Sequence, residues 1–270
     1  MMKIKEFILF LKDIWFNRAL LLKLSKNDIK SKYAGSFFGI IWAFIQPLVT
    51  IFVFWFVFQV GFKNPPVANI EFILWLITGY IPWIYFSDGL MSSSGCLYEY
   101  GYLVKKVKFR TSLLPLVKIL SAMFIHIFFI FFIWIMFLIY GHPFKIIWLQ
   151  SIYFSFCLTF LLVGLSWIMS SVSVFFKDFS QIINIVLQIG FWVTPIFWDA
   201  ENMKAPFVNG VLKVNPLYYV IQGYRDTFID NCGIWHRPYM GWYFWIFSIF
   251  TFIAGAIIYR KLRPHFADVL

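Results

Sequence analysis

The sequence predicts an all-α membrane protein with six transmembrane helices, because it contains six long apolar stretches and few charges. Of its 270 residues, 61% are hydrophobic and 13% are charged, whereas a typical soluble domain has about 25% charged residues. A helix needs roughly 20 mostly apolar residues to cross about 30 Å of hydrocarbon. The predicted spans are residues 33–62, 72–94, 113–144, 146–176, 179–198 and 238–259. They leave no room for a separate soluble domain.

The spans divide the chain into three parts: a cytoplasmic segment (1–32), the transmembrane domain (33–260) and a cytoplasmic tail (261–270). Apolar residues recur at helical spacing in the first part, with charged residues between them: Ile4, Phe7, Ile8, Leu11, Ile14 and Trp15. This pattern predicts an N-terminal amphipathic helix that lies in the interface of the membrane. A frayed cytosolic tail is the alternative.

The positions of lysine and arginine predict the orientation. With the N-terminus inside, the inner segments hold sixteen of the 23 Lys and Arg residues and the outer segments hold six. The positive-inside rule therefore places both termini in the cytoplasm, with the chain in the cytoplasmic (inner) membrane. This topology and contact with anionic membrane lipid explain the net charge of +11, so no nucleic-acid partner is predicted.

The ionisable residues of the spans argue against an ion-coupled transporter. Such proteins hold protons or cations deep in the membrane, but Asp88 and Lys118 lie near span ends and are expected to reach the interface. The lone His126 is expected to hydrogen-bond to a neighbouring helix. No catalytic or metal-ligand pattern is present, and the three cysteines lack metal-ligand spacing. The chain is therefore not predicted to be an enzyme.

An energy source must come from another protein. None of the 15 glycines is followed by lysine, so the phosphate-binding loop of ATPases, in which lysine follows glycine, cannot form. We therefore expect no cofactor in this chain, with ATP and Mg²⁺ bound by a partner subunit.

The fifth span carries the sharpest pattern. Its polar and aromatic residues follow one another at spacings of three or four: Gln181, Asn184, Gln188, Trp192 and Pro195. They share one face of an otherwise apolar helix. Such a face lines a polar path or bonds to another helix. The 13 Trp and 14 Tyr residues favour a path for sugars, because their rings pack against C–H faces and their polar tips bind hydroxyl groups.

Two stripes of small residues predict close helix packing. One comprises Gly35, Gly39, Ala43 and Pro47, and the other Ser151, Ser155 and Thr159.

The segment at residues 199–237, between spans five and six, contains apolar runs that are too short to span a membrane. It predicts short re-entrant helices between spans five and six, and a plain outer loop is the alternative.

Four groups of short motifs are distributed along almost the whole chain: residues 27–33 with Gly35, Ser36, Gly39, Trp42 and Pro47; residues 103–109 and 114–116; residues 175–178, Gln181 and residues 194–197; and residues 215–217 and 224–226. Together they resemble the membrane subunits of bacterial ATP-binding-cassette exporters of O-antigen, capsule or teichoic acid. The sequence departs from the family pattern at Arg110, which follows Phe109, because relatives often have Pro directly after this Phe.

The resemblance implies a homodimer bound to two copies of an ATP-binding-cassette ATPase, with a path for an undecaprenyl-linked polysaccharide between the subunits. Residues expected on the path are Trp42, Gln181, Asn184, Gln188 and Trp192. The residues implied at the outer gate are Asn215, Pro216, Tyr224 and Arg225. An ATP-driven exporter of a drug or lipid and a membrane scaffold are the alternatives.

A basic cluster lies between the second and third spans. It comprises Lys105, Lys106, Lys108 and Arg110. Four cations within six residues can approach two phosphates together, so the cluster is a candidate for binding a lipid pyrophosphate or for gating the path. Alternatively, the cluster only sets the membrane topology of the chain, as basic cytoplasmic loops do, and binds no phosphate.

Overall fold

The computed structural model describes residues 16–63, 70–105, 110–199, 210 and 212–270. Within these residues the secondary structure is helical, and no β-strand element occurs. The longer helices are α1 (Arg18–Lys32), α2 (Trp42–Trp55), α3 (Phe72–Ser94), α4 (Leu113–Ile139), α5 (Gln150–Phe175), α6 (Phe179–Val193), α7 (Pro216–Arg225) and α8 (Pro238–Leu262). Shorter helical turns are Gly39–Ile41, Phe56–Gly61, Cys96–Glu99, Gly101–Val104, Ile146–Leu149, Asp226–Asp230, Ile234–His236, Arg263–His265 and Phe266–Val269.

Four helical stretches of the described chain are long and apolar enough to cross a membrane. They are Gly39–Gly61, Leu113–Ile139, Ile146–Phe175 and Pro238–Val269. This number makes the chain a multi-pass membrane protein. Two of the six predicted spans fall outside the group. Helix α6 is apolar but has only 15 residues, and α3 is long enough but less apolar.

Helix α3 is the centre of the bundle. Eighteen of its 23 residues are buried, and it packs against α2, α4, α5, α6 and α7. A helix surrounded by protein needs no continuous lipid-facing apolar surface. This explains how its sequence can contain Gly79, Pro82 and Asp88 and fall short of the hydropathy of the four candidate spans.

Helices α5 and α8 cross in close contact at two glycines. A Cβ atom on Gly255 would lie 2.3 Å from the carbonyl oxygen of Gly164, and one on Gly164 would lie 2.7 Å from the backbone nitrogen of Phe252. Only glycine therefore permits this backbone approach, which is a common form of packing between membrane helices.

The first predicted span begins later than expected. Residues 33–38 form turns, and the helical stretch starts at Gly39 rather than residue 33. Gly35 and Gly39 adopt positive φ angles of 83° and 54°, and a Cβ atom on either would meet nothing within 4 Å. Within this chain these two glycines therefore form no helix-packing seam, and their positive φ angles suit the turns that precede and open the helical stretch.

Several predicted boundaries change at helix ends. Helix α4 ends at Ile139, before the predicted residue 144, and α6 ends at Val193, before the predicted residue 198. The residue before Pro195 is disfavoured in helical conformation, and Thr194 is extended. Helix α8 continues to Leu262, beyond the predicted residue 259.

Some sequence predictions concern positions outside the described residues. The N-terminal amphipathic helix lies mainly in residues 1–15, Lys106 and Lys108 lie in residues 106–109, and part of the segment between α6 and α8 lies in residues 200–209 and 211. These remain predictions.

Candidate functional site

A polar groove of about 680 Å³ lies where α2, α3 and α6 meet. Its polar lining residues include Gln46, Thr50, Ser87, Asp88, Asn184 and Gln188, and its aromatic lining residues include Tyr80, Trp83, Phe191 and Trp192. Amides and hydroxyls supply hydrogen-bond donors and acceptors, while the rings supply flat apolar surfaces. The groove can therefore hold a ligand that has both hydroxyl groups and apolar faces.

Helix α6 forms one wall of the groove and is mostly uncovered. Only Ile183 and Leu187 are buried among its residues. Asn184, Gln188 and Trp192 are exposed and line the groove. The structure thus brings together three members of the predicted polar face.

The remaining predicted path residues lie outside this cluster. Gln181 is exposed on α6 and Trp42 is exposed at the start of α2, but neither lines the groove. Pro195, which continues the predicted face, is buried beyond the end of α6.

Helices α6 and α3 approach each other closely at Gly190, beside the groove. A Cβ atom on Gly190 would lie 3.1 Å from the indole of Trp83, a distance tighter than ordinary van der Waals contact. Beyond Gly190, the ring of Phe197 packs 4.9 Å from Phe191 and 4.7 Å from Phe54, measured between ring centroids. Of these three rings, Phe191 lines the groove and the other two pack behind it.

The lining of the groove also includes an ion pair. The ammonium group of Lys32, at the end of α1, lies 2.7 Å from the Asp88 carboxylate of α3, and the two side chains are 39% and 37% exposed. Burial lowers the pKa of Lys32, but the attraction and hydrogen bond of Asp88 more than offset this effect, so the pKa is raised. Lys32 is therefore charged at neutral pH.

A second cavity, of about 180 Å³, adjoins this ion pair and is lined by further charged residues. Lys118 of α4 lies 2.6 Å from Asp28 of α1 and 2.7 Å from Glu99. The hydroxyl group of Tyr100 donates to Asp28 at 2.6 Å. Burial and this carboxylate raise the pKa of Tyr100, so the phenol remains a donor at neutral pH.

The expectation that Lys118 reaches the membrane interface is wrong. Its side chain is 6% exposed, and its partner Asp28 is 3% exposed. A buried charge requires a partner of opposite sign, and α1 supplies it by packing along α4. An isolated lysine in an apolar helix was the available sequence signal, but the sequence alone does not say which carboxylate it meets.

The described members of the basic cluster lie away from the two cavities. Lys105 follows the helical turn Gly101–Val104, and Lys105 and Arg110 are both exposed. Neither residue lines the groove or the second cavity.

Helix α7 is held against the bundle by residues that the family resemblance implied at an outer gate. Asn215 caps the helix by accepting from the backbone N–H of Leu217, and its amide donates to Thr194 at 3.1 Å. Pro216 occupies the first turn, where its missing N–H costs no helical hydrogen bond.

The other two implied residues are buried at the end of α7. The guanidinium group of Arg225 lies 3.6 Å from the ring centroid of Trp75 and donates to the carbonyl oxygen of Ile196 at 3.1 Å. The hydroxyl group of Tyr224 lies 2.7 Å from Ser155 Oγ and 3.0 Å from His126 Nε2. These contacts join α7 to α3, α4 and α5.

The interpretation of His126 as a residue that bonds to neighbouring helices is confirmed. Its Nε2 atom lies 3.1 Å from Ser155 Oγ, and its ring stacks on Tyr85 with centroids 4.5 Å apart. Tyr85 in turn bonds to Thr159 at 2.9 Å. The serine and threonine stripe of α5 is therefore a packed contact surface.

These features define a multi-pass helical membrane protein with a polar groove among its helices. The chain belongs to the ABC-2 type transporter family, whose model matches residues 19–229. This range includes both cavities and α7.

Relatives of similar length match almost the whole chain. An O-antigen export system permease protein RfbA from Klebsiella pneumoniae is 26% identical over 253 residues, which cover 93% of this chain and 95% of the relative. A protein of the same name from Myxococcus xanthus is 24% identical over 263 residues, which cover 97% of this chain and 99% of the relative.

Proposed function

We propose that this chain is the transmembrane subunit of an ATP-driven exporter that moves a polysaccharide across the cytoplasmic membrane. Membership of the ABC-2 type transporter family supports the transport function. The relatives named as O-antigen export permeases, which match the chain nearly end to end, support a polysaccharide as the cargo.

The groove is the observation that carries this proposal. Its amides, Asn184 and Gln188, stand beside the rings of Trp83 and Trp192. A sugar chain presents hydroxyl groups at its edges and C–H groups on its faces, so this combination suits it. A hydrophobic drug or a lipid tail would leave the amides without partners, which is costly in an apolar environment.

The proposed arrangement in the membrane has six spans, with α3 and α6 as the second and fifth. Both termini lie in the cytoplasm, and α7 is a re-entrant helix that closes the outer end of the path. Its burial against α3, α5 and α8 supports this position, because a short helix at membrane depth must be covered by protein.

The proposed assembly is a homodimer with two copies of an ATP-binding-cassette ATPase. The uncovered faces of α2 and α6 favour a second copy across the groove, since only Ala43 and Ile51 of α2 are buried. ATP and Mg²⁺ bind to the ATPase. The substrate is an undecaprenyl-linked polysaccharide, and the basic cluster at residues 105–110 is a candidate for contacting its pyrophosphate.

The test is a reconstituted complex of this chain with its ATPase in proteoliposomes. We expect the complex to hydrolyse ATP and this chain alone to show no activity. Lipid-linked polysaccharide should stimulate hydrolysis and should appear on the far side of the membrane, whereas the lipid carrier without sugars should do neither.

Stimulation by hydrophobic drugs or by the bare lipid carrier, without any effect of the polysaccharide, would instead identify a drug or lipid exporter. ATP hydrolysis by this chain without a partner would contradict the assignment as a permease subunit.

A further inference from the structure

An ion pair lies between the groove and the second cavity, because both of its members line both spaces. Lys32, Tyr33, Asp88 and Ile125 line the groove of about 680 Å³ and also the cavity of about 180 Å³, and Lys32 and Asp88 are the charged members of this set. The bond between Lys32 and Asp88 therefore crosses the boundary between them. If it opened, the polar groove would continue into the polar cavity beside Glu99 and Lys118.

This ion pair can open without breaking a helix interface. Helix α1 packs along α4, whereas its contact with α3 is slight. Lys32 lies in the last turn of α1, immediately before the turns at residues 33–38. Both partners are more than one third exposed, so separating them costs little free energy compared with breaking a buried pair.

The neighbouring ion pair, in contrast, fixes α1 in place. Asp28 precedes Lys32 by four residues, so both side chains lie on one side of α1. Asp28 is almost fully buried and binds Lys118 of α4 and Tyr100. The helix is thus anchored one turn before its end, and the end itself is held to α3 by Lys32.

We propose that the Lys32–Asp88 ion pair is a gate between the groove and the second cavity, with the Asp28–Lys118 pair as its anchor. In the closed state the pair divides the polar path. In the open state the path is continuous from the groove to the cavity next to Glu99. The identity of the substrate that passes the gate rests on the proposed function, but the opening of the gate does not.

The gate can be tested with a cysteine reporter in the groove. Asn184→Cys supplies the reporter in a Cys232→Ser background, because Cys96 and Cys157 are buried. A membrane-impermeant thiol reagent is added to inverted membrane vesicles, which present the cytoplasmic side, or to right-side-out vesicles. The measured quantity is the rate of labelling.

Removing either partner should open the gate. We expect Lys32→Gln and Asp88→Asn each to raise the labelling rate from the cytoplasmic side by roughly two- to fivefold, as befits the loss of one half-exposed ion pair. Labelling from the other side should not change. Lys30→Gln is the matched control, since Lys30 is an exposed lysine of the same helix outside both cavities.

Charge reversal separates gating from distortion. The double variant Lys32→Asp with Asp88→Lys should return the labelling rate to that of the parent, and Lys32→Arg should keep it low. Unchanged rates in both single variants, or a fast rate in the charge-reversed variant, would overturn the proposal. The assay needs neither ATP nor glycan, so its outcome is independent of whether the chain exports polysaccharide.

Discussion

The two sides of the groove are built in opposite ways. Helix α3 buries eighteen of its 23 residues, whereas α6 buries two of 15. On the packed side, polar side chains such as His126 and Tyr224 are bonded to one another. On the open side, Asn184 and Gln188 are exposed.

This difference separates stability from function. The packed body, formed by α3, α4, α5, α7 and α8, holds the large hydrophobic core, and its helix α4 is joined to α1 by the buried ion pair. The open wall, formed by α2 and α6, contributes little to the core but supplies one side of the groove lining, opposite Tyr80, Trp83 and Ser87 of α3. Substitutions in the body should therefore change folding, and those in the wall should change transport.

The largest effect is expected at the buried ion pair. Asp28→Asn removes the buried carboxylate that faces Lys118, leaving only Glu99, which is 53% exposed. We expect a loss of up to about 3 kcal/mol in the free energy of unfolding, since the buried Lys118 charge loses its buried partner and keeps only the more exposed one. The measurement is thermal unfolding of the purified protein in detergent.

Asp88→Asn is the matched control for this prediction. This substitution breaks the other ion pair of α1, in which the Lys32 and Asp88 side chains are 39% and 37% exposed. The expected loss in the free energy of unfolding is at most about 1 kcal/mol. The double variant Asp28→Leu with Lys118→Met should recover much of the stability, because it removes both charges together. Equal destabilisation by Asp28→Asn and Asp88→Asn would contradict the distinction between the anchor and the gate.

The second effect concerns the glycine crossing of the packed body. Gly255→Ala places a Cβ atom 2.3 Å from the Gly164 carbonyl oxygen, so α5 and α8 must move apart. We expect a loss of about 1 to 3 kcal/mol from this overpacking, measured by thermal unfolding and by the amount of protein in the membrane. Gly101→Ala is the control, because a Cβ atom there meets nothing within 4 Å, and it should be neutral.

The spacing of residues in the sequence predicted the side chains of the open wall better than the contacts of the packed body. The spacing of Asn184, Gln188 and Trp192 places them on one face of a helix whatever its surroundings, and the structure puts that face along the groove. The overall helical class also follows from local apolar content, which needs no knowledge of contacts.

The body depends on which residues meet, and a single sequence does not show this. The pairing of Lys118 with Asp28 joins residues 90 positions apart, and the Gly164–Gly255 crossing needs the relative register of two helices. Likewise, Gly35 and Gly39 read as a helical stripe only if the helix is assumed to include them. Gly35 lies before the helical stretch and Gly39 is its first residue, and both have positive φ angles.

The smallest effect on stability, and the clearest effect on transport, is expected on the open wall. Trp192 is 62% exposed and lines the groove, while Ile189 is 59% exposed and does not line it. Trp192→Ala and Ile189→Ala should each change the free energy of unfolding by no more than about 0.5 kcal/mol, because neither side chain is part of the core.

Their effects on transport should differ. Losing the Trp192 ring removes a stacking surface worth about 1 kcal/mol, which a long sugar chain meets repeatedly, so Trp192→Ala should reduce polysaccharide export and Ile189→Ala should not. The measurement is the amount of glycan at the cell surface, normalised to the amount of protein in the membrane.

Gln188→Leu should likewise reduce export without weakening the fold. If the amide only formed a hydrogen bond between helices, its removal would cost about 0.6 kcal/mol on average and would weaken assembly of the helices. Normal export by both Trp192→Ala and Gln188→Leu would mean that the open wall is not the sugar path.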